Sequence, residues 1–326
     1  MNVLPAFGDL DPSAHRRHFM HDDARMWPET NCYVDLWIEV LHALGLNPVA
    51  GLVCCVTAGF NGEQWDLFKF QIPDLRALYG VSVAELNLWL TLEEHIIDHG
   101  SRGNMLLVDV DSWYLPDTAG TAYQVKHQKT TIAPLGIDPQ RRTLVYVHNR
   151  GLYTLAGDDY VGVLRHGAPP QDLLPYTELV RFDDVVERPD DELRAAVRPL
   201  LADQLHRASG TNQIRLMQAR VAADEQALIS REAEFFHGYA FATLRPCGAW
   251  AECLATFLQW LDAEGLGRAV TALFELSATA KAMQFRLARL ASGRPVDLSE
   301  QFHSMANHWD VAYEVMRGSS WASSAS

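Results

Sequence analysis

Apolar and polar positions change their period part-way along the chain. In "WPETNCYVDLWIEVLHALG" the apolar residues Val34, Trp37, Ile38, Leu41 and Leu44 recur at three- and four-residue steps, as in an amphipathic helix. Pro28 and Thr30-Asn31 precede this stripe and Gly45 closes it, so a helix is predicted to begin beside Cys32. "GLVCCVTAG" reads as a buried strand and "QWDLFKFQI" as a second, more aromatic one. "VAELNLWLTLEEHIIDH" predicts another helix. "NMLLVDVDSWYLP" then predicts a strand stopped by Pro116, and "HQKTTIAPLGI" and "TLVYVHN", joined by "DPQRR", predict a β-hairpin. This order, helix first and sheet later, implies an α+β unit with an antiparallel sheet rather than a doubly wound one.

Beyond residue 168 the texture is helical. "GAPPQDLLP" reads as a connecting segment. "PDDELRAAVRPLLADQLHRA" carries acidic residues in its first turn, where the helix dipole favours them. "GAWAECLATFLQWLDAEG" and "RAVTALFELSATAKAMQFRLARLASG" predict two long helices, the second apolar around most of its circumference, as for a central bundle helix. The expected organisation is an α+β domain over 1–168, a mostly helical domain over 169–318 and a disordered tail over 319–326.

Composition narrows the function classes. The net charge of −14 and pI near 5.3 argue against a broad basic face for nucleic acid. No apolar run approaches the ~20 residues of a membrane span, and the N-terminus lacks the pattern of a signal peptide. Five cysteines, two of them adjacent (Cys54, Cys55), suit reduced thiols in the cytoplasm better than a disulfide framework. CxxC, HExxH and Walker motifs are absent, and "HRRH" with His21 has no ligand spacing, so neither a metal nor a cofactor of its own is expected.

The remaining chemistry centres on Cys32. A thiol in the first turn of a helix sits beside backbone N–H groups and the positive end of the dipole, which favour thiolate and can stabilise an oxyanion. It is also a small apolar residue, and packing is the competing reading. A nucleophilic cysteine needs a base and a group to orient that base. His127 opens the predicted hairpin and Asn149 ends its second strand; His148 competes as base and Asp111 as orienter. The order of helix-initial Cys, strand-initial His and next-strand Asn or Asp is that of papain-like enzymes.

The segment "VDVDSWYLPDTAGTAYQVKH" resembles proteins similar to butirosin biosynthesis protein H. The resemblance rests on Cys32, on Asp111 with Tyr114-Leu115-Pro116, and on His127. It implies a papain-like N-terminal unit and transfer of an acyl or aminoacyl group from the phosphopantetheine thioester of a carrier protein to an amine. The motifs "QWDLFKF", "YLPDTAGTAY", "HQKTTI", "YVHNRGLY" and "YAFATLR" make most of the chain similar to an uncharacterised bacterial family, often encoded near amino acid–carrier protein ligases. Papain-like peptidases place a Gln before the cysteine. "DDARMWPET" has none, so Asn31 or backbone amides are expected to serve the oxyanion.

In the helical half, Arg245, Glu252 and Lys281 interrupt apolar stretches. They are expected either as a structural ion pair or, with Asn31 and Tyr114, as substrate-binding residues, Arg245 being suited to a carboxylate. The leading expectation is a cysteine acyltransferase with a carrier protein and an amine acceptor as partners. The alternatives are a cysteine hydrolase on the same residues and a non-catalytic module that docks a carrier protein.

Overall fold

The computed structural model describes residues 2–8, 11–168, 173–262 and 264–319. The fold is α+β: an N-terminal antiparallel sheet with helices, then a mostly helical part. The chain forms two compact units, and each takes segments from both sides of the other in sequence. The first comprises Met1–Asp22, Cys32–Pro48 and Ile72–Arg188; the second comprises Asp23–Asn31, Val49–Gln71 and Pro189–Ser326.

The first unit contains β1 (Asn2–Val3), α1 (Cys32–Ala43), α2 (Ile72–Tyr79), β2 (Ser82–Glu85), α3 (Leu92–Ser101) and β3 (Met105–Asp111). Then follow β4 (Lys129–Asp138), β5 (Thr143–His148), β6 (Gly151–Ala156), α4 (Asp158–Val163) and β7 (Thr177–Arg181). The strands form one sheet in the order β2-β7-β3-β4-β5-β6, with β1 also pairing β4, and every pairing is antiparallel. Alternation along the strands gives the sheet two faces. On one, Leu106, Val108 and Val110 join Ile132, Tyr146 and Leu179 in a core with Leu92 and Ile96 of α3 and Tyr160 and Val163 of α4. α1 contributes nothing to that core; it lies against β4 and β5 on the other face.

The predicted hairpin is present as β4 and β5. β7 lies beyond residue 168, the boundary expected from the sequence. It pairs with β2 and β3, so the first unit continues to Arg188, across a connector that looked like a domain linker by composition. "VAELNLWLTLEEHIIDH" is not one helix. It divides into β2 and α3 at a capping box in which Thr91 and Glu94 bond each other's backbone amides, ending any helix from upstream.

In the second unit the helices are α5 (Asp190–Arg207), α6 (Gln213–Ser230), α7 (Ala233–Ala242), α8 (Leu244–Leu261), α9 (Gly267–Ala291) and α10 (Ser299–Gly318). α9 packs between α8 and α10, the central place its apolar circumference predicted. Neither predicted early strand forms. Pro48–Val56 is a buried 3-10 run, because a short, wholly apolar segment carries no period that separates strand from helix. "QWDLFKFQI" alternates buried Phe68 and Phe70 with exposed residues but finds no partner strand, only the bridge Phe60↔Trp65. Its backbone is held by Trp65 N–H donating to the Ala242 carbonyl (3.0 Å). Of the disordered tail expected over 319–326, all but Ser319 lies outside the described residues.

Candidate active site

The end of β3 builds a carboxylate–imidazole pair. Asp111 is the last residue of the strand and caps the 3-10 turn Ser112–Tyr114: its Oδ1 accepts the Trp113 N–H (3.0 Å). That leaves Oδ2 for His127 Nδ1 at 2.6 Å. The Trp113 indole stacks flat on the imidazole, with centroids 4.4 Å apart and planes 9° from parallel. One turn thus fixes both the position and the plane of His127. The His127 side chain is 67% exposed, so this pair is presented to solvent rather than sealed in the core.

Polar residues continue from this pair along the α1 face of the sheet. Asp109, two residues before Asp111, accepts from the Thr131 hydroxyl (2.6 Å) and pairs with Lys129 (3.1 Å). Glu178 on β7 stands opposite Leu107 on the same face. It accepts hydrogen bonds from Tyr176 and Tyr33, both at 2.9 Å. Burial and the Glu178 carboxylate push the Tyr176 phenol up to about 12 and raise that of Tyr33 as well. A cavity of about 990 Å³ opens here, lined by Asp109, Asp111, Tyr114, His127, Lys129 and Tyr176 among others. Tyr114 lies so close to α4 that a Cβ on Gly162 would stand 2.2 Å from its ring, and only glycine fits.

Cys32 is the first residue of α1 and is half-buried, whereas Cys54, Cys55, Cys247 and Cys253 are buried. Burial raises the Cys55 and Cys247 thiols well above the ordinary cysteine value. Tyr33, the next residue after Cys32, bonds Glu178, so the first turn of α1 stands over the face that carries Asp109 and Asp111. Cys32 itself is not among the residues lining the His127 cavity.

The two competing assignments fare differently. Asp111 makes the orienting contact to His127. Asn149 instead occupies the β5–β6 turn with φ +46°, the left-handed conformation that a two-residue hairpin loop requires and asparagine tolerates. His148 is buried on the opposite sheet face, its Nδ1 on Asp117 (2.5 Å) and its Nε2 on the Thr130 hydroxyl (2.8 Å). Both ring nitrogens are engaged, leaving no atom for a reacting proton.

Within the helical unit, Glu252 is not the partner of Lys281. Its carboxylate accepts the backbone N–H groups of Met26 (3.2 Å) and Trp27 (3.0 Å), with Arg25 at 3.5 Å. Lys281 sits 4.2 Å above the Trp27 ring and donates to the Met26 carbonyl (3.3 Å). Burial and the Arg245 charge hold its ammonium below the ordinary lysine value. The Trp27 indole donates to Ser277 (3.0 Å) and lies against Gly248, where a Cβ would stand 2.3 Å from the ring. These contacts fix residues 25–27, a few positions before Cys32. Asn31 donates through its side-chain nitrogen to the Phe68 carbonyl (3.0 Å) and, with Arg245, lines a separate pocket. Trp113, Lys129, Tyr176 and Glu178 were not singled out from the sequence. Only Lys129, two residues after His127 at the start of a predicted strand, had a period-2 signal for its face; it is the register partner of Asp111 and reaches Asp109 as an ion pair.

No helix among the described residues is long and apolar enough to cross a membrane, and no group of three or more metal-binding side chains is found among them. No curated protein matches the chain. Residues 16–182 match the DUF1839 N-terminal domain and residues 190–318 the DUF1839 C-terminal domain. These matches divide the chain between β7 and α5, where the sheet ends and the helices begin, and the chain belongs to the DUF1839 family.

Proposed function

We propose that the protein is a cysteine-dependent acyltransferase that takes an acyl or aminoacyl group from a carrier-protein phosphopantetheine thioester and passes it to an amine. The observation that carries this reading is the 2.6 Å pair of His127 Nδ1 and Asp111, stacked on Trp113 and open to a large cavity. The helix-initial, half-buried Cys32 and the resemblance to butirosin biosynthesis protein H-like transferases support it.

With Nδ1–H donated to Asp111, Nε2 is the atom that exchanges protons. In the first half-reaction His127 takes the Cys32 proton and the sulfur adds to the thioester carbonyl. The N–H of Cys32 contributes a donor to the oxyanion. Collapse expels the phosphopantetheine thiolate, which takes the proton back from His127 and leaves an acyl group on Cys32. The acceptor amine then attacks this new thioester, His127 takes its proton and returns it to the Cys32 sulfur as the amide forms. A thioester needs less oxyanion stabilisation than an amide substrate because thiolate is the better leaving group.

Intact-mass measurement after mixing the protein with a loaded carrier tests the scheme. The expected result is an acyl adduct on Cys32 that disappears when an amine is added, with formation of the amide. An adduct lost equally fast to water without amine assigns a hydrolase instead. No adduct on Cys32 with any thioester overturns the proposal.

A further inference from the structure

A second cavity lies wholly within the helical unit. It holds about 180 Å³ and is walled by Trp65, Leu67, Phe68, Phe241 and Pro246, with Arg245 as its cation. Leu67 and Phe241 are more than half exposed, so the apolar wall reaches solvent at its mouth. Arg245 is weakly engaged by the protein. Its nearest carboxylate, Glu29, is 4.0 Å away, its guanidinium carbon is 5.5 Å from the Phe241 ring centroid, and its Nε is buried with no hydrogen-bond partner. The Arg245 side chain is nevertheless 35% exposed, so its guanidinium is open to an anion, and a carboxylate is the anion its planar fork fits best. Lys281 adds to the local positive field: its ammonium is held down partly by the Arg245 charge. The volume limits the ligand. An apolar cavity of about 150 Å³ holds a benzene ring, so this one accepts a single ring or a branched aliphatic group beside a carboxylate.

We infer that this pocket binds a small carboxylate with a flat or branched apolar body, the carboxylate on Arg245 and the body between Phe68, Trp65 and Phe241. Asp66, which accepts from Asn61 (3.3 Å), also lines the pocket and gives a place for an ammonium group. An apolar α-amino acid is therefore the best-matched member of the class. The role of this ligand as acceptor of the acyl group rests on the acyl-transfer reading; its binding does not.

Calorimetric titration of the full-length Cys32→Ser protein separates the two, because it reads binding without chemistry. Probes are 3-phenylpropionate, 3-phenylpropionamide and L-phenylalanine. The acid is expected to bind at least tenfold tighter than the amide, and Arg245→Met is expected to abolish that preference. L-Phenylalanine is expected to bind tighter than the acid, and Asp66→Asn to remove this difference. Equal binding of acid and amide, or unchanged acid binding in Arg245→Met at unchanged melting temperature, overturns the assignment. If the acid binds as expected while no acyl adduct ever forms on Cys32, the pocket stands and the transferase reading falls.

Discussion

His127 takes its orientation from Asp111, a single carboxylate that caps a turn with one oxygen and holds an imidazole with the other. Replacing it by asparagine keeps the shape but removes the charge and disturbs the tautomer. Asp111→Asn is expected to lower acyl transfer by roughly 10²-fold or more. Because the side chain is partly exposed, the melting temperature is expected to stay nearly unchanged. Equal turnover in this variant would remove His127 from the mechanism. Cys32→Ser is expected to cost roughly 10³-fold or more in transfer, again without loss of stability. Alkylation should label Cys32 well before the four buried cysteines; uniform labelling of all five would return Cys32 to a packing role. The placement of Cys32 at a helix start and of Asp111 at a strand end was legible in the sequence because the proposed chemistry asks for particular residue types at particular element ends. Asn149 was misleading for the same reason: asparagine at a strand end suits both an orienter and a left-handed turn, and only the φ angle separates them.

Among the elements, α1 carries more than its cysteine. Glu39 is buried beneath residues 15–21 and is held by His21 Nδ1 (2.5 Å), His15 Nε2 (2.7 Å) and the His18 N–H (3.0 Å). Burial opposes charge on both partners. The histidine contacts nevertheless hold Glu39 down to about 2, and Glu39 with Asp35 raises His21 to about 8. Asp35 is 3.5 Å from Nε2 and contributes both as a polar neighbour and through its charge. The raised His21 stabilises the fold fully below its ordinary pKa of 6.5, and that contribution is lost as pH rises through about 8. The depressed Glu39 contributes above 4.5, and its share is lost as pH falls through about 2. Stability is expected to fall by about 2 kcal/mol between pH 6.5 and about 9, since each tenfold change in proton affinity is worth ~1.4 kcal/mol. Glu39→Gln should flatten that slope in thermal melts; an unchanged slope would place its origin elsewhere. On α8, Gly248→Ala is expected to destabilise the helical unit by about 1–3 kcal/mol, because the new methyl overlaps the Trp27 ring. Calorimetry showing no loss would mean that the ring moves aside freely. The sequence revealed elements with a clear period, α1, β3, the β4–β5 hairpin and α9. It concealed those whose state is set by partners far along the chain, such as β7 and the 3-10 run Pro48–Val56.

At the scale of the whole molecule, the division between sheet and helices does not follow the chain. Asp23–Asn31 and Val49–Gln71 lie in the first third of the sequence yet belong to the helical unit. There Trp27 bonds Ser277, the Trp65 indole lies on Met217 (3.1 Å), and Trp250 donates to the Cys55 carbonyl (2.6 Å). A chain ending at Arg188 would keep these segments and lose their partners, exposing Trp27, Phe60 and Trp65 to water. It is expected to melt broadly and to bind a hydrophobic dye, while the full chain melts cooperatively; a sharp transition in the shortened chain would refute this. The same interleaving bears on inheritance. The two halves matched by the family models are contiguous as genes but not as packed bodies. A crossover between them would pair one relative's Trp27 with another's Gly248, so the halves are expected to descend together, each residue in the early segments tracking its helical partner through divergence.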